Sequence, residues 1–226
     1  MSRTPGGAGG RSWARPSEVS VLLVENDEFT REVVAAALRE AGCAVTASVA
    51  TAREAIATVH EGSFDCAVVE LGLGAGPSGI ELAHALRTVD SRIAIVILTS
   101  FTDPRLYSEH ERELPSRTVY AVKNDVRTIG HLRELIDMAC GVGDRREHVS
   151  RGRVDLTNAQ VELLRLVAVG CTNAEIARRR EVSERSVEAA LTRLIRRLQI
   201  EPESGENARV LLVRAFVALA GGVSAR

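Results

Sequence analysis

Aromatic side chains make up only 3% of this 226-residue chain, so its core must be built from Ala, Val, Leu and Ile. Lysine is scarcer still: Lys123 is the single one among 29 basic residues. The four cysteines, Cys43, Cys66, Cys140 and Cys171, form no CxxC pair and no Cys/His ligand spacing. That argues against a zinc site or a dithiol redox motif and predicts reduced thiols in a cytoplasmic protein, with no metal. No apolar run approaches the ~20 residues that span a bilayer, so no membrane partner is expected. Residues 1–17, mostly Gly, Pro, Ser and Arg around Trp13, lack the apolar stretch of a signal peptide and predict a disordered tail. The five histidines are scattered, no nucleophile–base pair stands out, and GLGAGPSG is not followed by Lys-Ser/Thr. Catalysis is therefore not expected, and no cofactor is called for.

What is present is an ordinary globular balance, 45% hydrophobic and 26% charged, with a net charge of -1. The charge is unevenly placed. Residues 151–226 hold 13 basic and 9 acidic side chains, and the remainder 16 and 21. A basic C-terminal part beside an acidic N-terminal part points to different partners, with phosphates natural for the basic part.

Along the acidic part, apolar runs alternate with helical patterns. Val19–Val24, Ala44–Ser48, Phe64–Val69, Ile93–Leu98 and Val119–Val122 read as strands. Phe29–Ala41 reads as a helix with Val33, Val34, Ala37 and Leu38 on one side and Gly42 as its stop. Ala52–His60, a segment from Ile80 and Thr128–Ala139 read as further helices, whereas the polar, Pro-interrupted 103–116 predicts a short or missing one. The pattern implies an α/β fold, a doubly wound parallel five-stranded sheet. Ligands of such sheets bind beyond the carboxyl ends of the strands. The residues there are Glu25, Asn26 and Asp27, then Glu70, Thr99 with Ser100, and Lys123: acids, hydroxyls and one cation on one edge.

The segments LLVEND, FDCAVVEL, SGIEL, VILTS and YAVKN make residues 18–140 resemble the receiver domain of bacterial two-component response regulators. The resemblance implies that an acidic pair binds Mg²⁺, an Asp accepts a phosphoryl group, a Thr/Ser and an aromatic act as switches, and a Lys contacts the phosphoryl. Glu25, Asn26, Thr99, Tyr120 and Lys123 stand at those positions, with Glu70 at the phosphoacceptor's. Two of these are departures. Asn26 removes a charge from the cation site and weakens Mg²⁺ binding. Glu70 is one methylene longer than Asp, enough to misplace an in-line nucleophile. The site is thus expected to be degenerate, and three readings stay open: Glu70 paired with Lys123 as a fixed mimic of the phosphorylated state, an inert Glu70, or residual phosphorylation.

Gly141–Arg153 reads as an exposed linker, and residues 154–226 as a small all-α domain. Asn158–Val169, capped by Thr157, carries Val161, Leu164, Val167 and Ala168 at helical spacing. Ala174–Arg180 and Glu184–Leu198, the second capped by Ser183, flank a tight Glu181-Val182 junction, as in a helix-turn-helix. The run from Leu156 to Ile200, with TNAEIARRR and VSERSVE, resembles the LuxR/NarL-type DNA-binding domain. By that resemblance the second helix enters the major groove of double-stranded DNA. Arg178, Arg179, Arg185, Thr192, Arg193, Arg196 and Arg197 are the candidate contacts, but Glu188 and Ala190 stand where the family commonly has Lys and His. The last helix, Asn207–Ala220, is apolar on nearly every face, which predicts either a homodimer contact or burial against the first domain. The sequence is therefore expected to encode an atypical response regulator not controlled by aspartyl phosphorylation, with a small-molecule or protein signal in its place. The competing expectation is an interaction module that titrates a partner regulator without specific DNA binding.

Overall fold

The computed structural model describes residues 18–107, 113–142, 155–203 and 205–221. The expected tail, 1–17, lies outside the described residues, as does the linker beyond Gly141 and Val142. Five parallel strands, β1 (Val19–Val24), β2 (Cys43–Val49), β3 (Cys66–Val69), β4 (Ala94–Thr99) and β5 (Thr118–Val122), form one sheet in the order β2-β1-β3-β4-β5.

Because successive strand side chains point to opposite faces, each apolar run feeds two cores at once. Leu22, Val24, Ala67, Val69, Ile95 and Ile97 pack beneath α2 (Ala52–Glu61) and α3 (Gly79–Val89). Val21, Leu23, Cys66, Val68, Ala94 and Val96 face the other way, beneath α1 (Glu28–Glu40) and α4 (Ile129–Cys140). Helix starts follow the residues that can cap them. Thr51 with Glu54 and Ser78 with Glu81 make reciprocal capping boxes. Asp27 caps α1 through the Thr30 N–H. One expected core residue is misplaced: Val33 is 51% exposed, while Ala35 takes its place inside. The buried stripe of α1 runs through Ala35 and Leu38 flanked by Val34 and Ala37, and Val33 falls just beyond it.

Between β4 and β5 the described residues contain only a 3-10 turn, Pro104–Leu106, in place of a covering helix. Asp103 caps this turn and Pro104 opens it. The turn instead packs against the C-terminal helices α5 (Asn158–Ala168), α6 (Asn173–Arg179), α7 (Glu184–Arg197) and α8 (Ala208–Leu219). Leu106, 1% exposed, belongs to their core alongside Leu163, Leu164, Ile176, Val187, Leu194 and Leu212. Burying one such leucine stabilises the joint by about 1.5–3 kcal/mol. Polar bonds fix the orientation. Thr102 donates from both its N–H (2.9 Å) and its hydroxyl (2.8 Å) to the Leu219 carbonyl. Arg105 donates to the Leu156 carbonyl (2.9 Å) and the Asn158 side chain (2.8 Å) while forking onto Asp103. This joint explains why α5 buries Leu163 and Leu166 in addition to Val161, Leu164 and Val167.

Candidate functional site

The carboxyl ends of β1, β3, β4 and β5 bring Glu25, Glu70, Thr99 and Lys123 into one cluster. Glu25, Glu70 and Thr99 are buried, at 4%, 7% and 0% exposure. Lys123 Nζ lies 2.6 Å from Glu25 Oε2 and 2.6 Å from Glu70 Oε2, bridging the two acids. The other Glu70 oxygen, Oε1, accepts from the Thr99 hydroxyl at 2.5 Å and from the backbone N–H groups of Leu71 (2.8 Å) and Gly72 (3.2 Å). Both carboxylate oxygens of Glu70 thereby have donors, as a buried polar group requires. Burial pulls the Lys123 ammonium down, but the attraction of Glu70 and the hydrogen bonds of both acids outweigh it and hold the group above the ordinary lysine value.

The remaining expected members sit around this bridge. With its amide turned so that the nitrogen faces these acceptors, Asn26 donates to the Gly72 carbonyl (3.0 Å) and Glu25 Oε1 (3.2 Å) and ties down the loop after β3. Asp27 faces away, its carboxylate held below the ordinary range by the Thr30 hydrogen bonds. Tyr120, 6% exposed, is not in the cluster; its hydroxyl donates to the Phe101 carbonyl at 2.7 Å. Phe101 N–H donates to Thr99 Oγ1 (3.3 Å), and the next residue, Thr102, carries the bond to α8. A chain of hydrogen bonds thus runs from Glu70 through Thr99 and the Phe101–Thr102 backbone to the helical unit. The whole cluster leans on Gly79, where a Cβ would stand 2.2 Å from the Glu70 carbonyl oxygen. Sequence reasoning did not single out Asp103, Arg105 or Thr102. The one signal available was Asp103-Pro104, which reads as the start of a helical turn.

The second candidate surface is the outer side of α7. Thr172 caps α6 and Ser183 caps α7, and Glu181 makes the turn between them with a left-handed backbone, φ 53°. Val187 and Leu194 are buried, and Leu191, Ile195 and Leu198 pack beside them. The opposite face exposes Arg185, Thr192, Arg193 and Arg196, and the three arginines make no ion pair among the described residues. The Thr192 hydroxyl donates to the Glu188 carbonyl of its own helix. The other three arginines are engaged. Arg178 (2.8 Å) and Arg179 (2.6 Å) pair with Glu175, and their hydrogen bonds lower its carboxyl to about 2. Arg197 binds the carboxylate and carbonyl of Asp155. Glu188 and Ala189 are exposed on the same helix, and Ala190 is half-buried.

Two family models match the chain: a response regulator receiver domain over residues 21–111, and bacterial regulatory proteins of the luxR family over residues 154–204. Among characterised proteins, the chain is 27% identical over 201 residues to the DNA-binding transcriptional activator DevR/DosR of Mycobacterium tuberculosis, covering 81% of this chain and 89% of that one. It is 28% identical over 185 residues to the oxygen regulatory protein NreC of Staphylococcus epidermidis, covering 73% and 84%. Among solved structures, it resembles RcsB in a complex of two dimers with two parallel DNAs, at a TM-score of 0.57 and 17% identity, covering 89% of this chain and 98% of that one. RcsB from Salmonella enterica serovar Typhimurium bound to the rprA promoter matches at a TM-score of 0.54 and 15% identity, covering 89% and 100%.

Proposed function

We propose that this chain, a LuxR-type response regulator and DNA-binding transcriptional regulator, has a receiver held in one state by its own Glu70 and needs no aspartyl phosphorylation. The observation that carries the reading is the Lys123 bridge. The resemblance gives phosphorylated receivers a switch Thr/Ser and a Lys that contacts the phosphoryl group. Here the Glu70 carboxylate already occupies both, with Thr99 at 2.5 Å and Lys123 at 2.6 Å. The hydroxyl and the ammonium are thereby already engaged, and Asn26 contributes no charge for a cation. Incubated with acetyl phosphate and Mg²⁺, the protein is expected to form no hydroxylamine-sensitive adduct. A stoichiometric adduct overturns the reading.

Output falls to the exposed face of α7, with Arg185, Thr192, Arg193 and Arg196 meeting double-stranded DNA, and Arg178, Arg179 and Arg197 at its margins. A binding selection on random duplexes is expected to enrich one motif, lost in Arg193→Ala. Failure to enrich any motif, with weak binding insensitive to salt, supports the second reading, a module that titrates a partner regulator; the exposed Glu188 favours it by repelling phosphate. On α8, Val210 (55% exposed) and Val217 (43% exposed) offer an apolar strip for a second copy of the chain, to be checked by sedimentation across a concentration series. The reading assigns no catalysis and no cofactor. It places the protein in the cytoplasm, where its DNA is; among the described residues no helix is long and apolar enough to cross a membrane. The input in place of phosphate is a small molecule or a protein acting on the strand-end edge.

A further inference from the structure

We infer that, resting on the DNA-binding reading of α7, Glu188 is a base-reading residue that selects a cytosine in the major groove. Glu188 is the fifth residue of α7 and lies in the half of a recognition helix that meets base edges. Arg185, Glu188, Ala189, Thr192 and Arg196 recur at helical spacing and share the exposed face, away from the buried Val187 and Leu194. Among the described residues the Glu188 carboxylate makes no ion pair and no hydrogen bond, although Arg185 stands three positions before it, at the spacing of a helical salt bridge. Glu184, the other acid of α7, lies in the first turn, where the helix dipole favours it; Glu188 is past that turn and gains no such support. On α6, by contrast, Glu175 is taken up by Arg178 and Arg179.

The neighbours suit this role. One turn on, the Thr192 hydroxyl gives its proton to the Glu188 carbonyl at 3.0 Å, so it has only lone pairs left to offer. Glu188 and Thr192 are thus acceptors on a face whose long side chains are otherwise donors. Ala189 is exposed and Ala190 half-buried, and neither adds bulk that would hold the short Glu188 side chain off a base edge. Beside a phosphate this carboxylate is repelled; at a base edge it needs a donor. In the major groove guanine presents only acceptors, N7 and O6, and thymine the acceptor O4 beside its methyl group. Adenine sets the N7 acceptor next to its N6 amino group, whereas cytosine alone offers a donor, N4, and no acceptor. A carboxylate stripped of water regains a hydrogen bond over cytosine and is left unpaired over guanine or thymine. Discrimination therefore comes as much from the penalty on the wrong base as from the bond to the right one.

The test is a binding selection on random duplexes with the full chain, run in parallel on wild type, Glu188→Ala and Glu188→Lys; the position is exposed, so the fold tolerates both changes. Wild type is expected to enrich a motif that contains a fixed C·G pair. Glu188→Ala is expected to relax that pair alone, and Glu188→Lys to reverse it to G·C, because guanine N7 and O6 accept from an ammonium. In fluorescence anisotropy, reversing the pair is expected to weaken the wild type about 5- to 150-fold and to strengthen Glu188→Lys. A wild-type motif that both variants reproduce at every position overturns this role for Glu188 and leaves DNA recognition by α7 standing. So does Glu188→Ala if it tightens every sequence alike, or if the pair it relaxes is not C·G. No enriched motif in the wild type overturns DNA recognition itself, and this role with it.

Discussion

Lys123 is one cation serving two buried carboxylates, and removing it leaves both without their shared counter-charge. Lys123→Ala is expected to destabilise the receiver unit by about 3 kcal/mol, as for a buried pair that loses one partner, read as a lower midpoint in urea. Lys123→Met, which keeps the stem, should be nearly as costly, because the loss is charge and not packing. The pH dependence follows from the raised folded value. Unfolded, the ammonium titrates near 10.5; folded, it titrates higher, so the contribution of the bridge is complete below 10.5 and is lost as pH rises through the folded value. Alkaline unfolding above pH 10.5 should therefore be steeper in the wild type than in Lys123→Met. Gly79 is the second sensitive residue. With a Cβ 2.2 Å from the Glu70 carbonyl, Gly79→Ala must move the start of α3 or the end of β3, and overpacking of this kind costs about 1–3 kcal/mol. The same shift would loosen the Glu70 contacts, so the variant also tests whether the bridge needs this backbone.

At the scale of elements, α6 and α7 make opposite demands on their arginines. On α7, Arg193 is exposed, and Arg193→Ala is expected to weaken DNA binding and reduce the salt slope by about 1. On α6, Glu175 holds Arg178 and Arg179 in an exposed triad. Removing that acid frees two cations, so Glu175→Ala is expected to tighten DNA binding severalfold at low salt and to change nothing at high salt, measured by fluorescence anisotropy. These elements were legible in the sequence because each obeys its own period and carries its own cap: Thr157, Thr172 and Ser183 all accept from the N–H three residues on. The strand-end residues Glu25, Glu70, Thr99 and Lys123 were equally legible, since a parallel sheet sends every run's last residue to one edge. What could not be read was where a polar segment finds its partner. Phe101–Tyr107 has no period, and its apolar members, Phe101 and Leu106, pack against helices more than 50 residues later. Val33 failed for the opposite reason: it fits the helical spacing, but the covered stripe of α1 is narrower than the apolar one.

Across the whole molecule, one turn stands between the acid edge and the C-terminal helices. The turn follows Thr99, touches Tyr120 through the Phe101 carbonyl, and ends in the core of the second unit at Leu106. Arg105 is its main polar tie, and it is 16% exposed over a fully buried Asp103. Arg105→Ala is expected to lower stability by about 1–3 kcal/mol and to split thermal unfolding into two transitions, seen by calorimetry, as the sheet and the helices part company. DNA affinity should survive this change, because the bonds of Arg105 go to Asp103, Leu156 and Asn158, none of them on α7.

The bond from Thr102 to the Leu219 carbonyl has a quieter implication. It is made to the main chain, so it is indifferent to which side chain occupies position 219 and leaves no trace in residue identity there. Related chains could keep or lose this latch without any letter of the alphabet recording it. For this bond only the length of the last helix matters: a chain cut after Ala218 forfeits the acceptor and with it both Thr102 bonds, where a replacement of Leu219 keeps them.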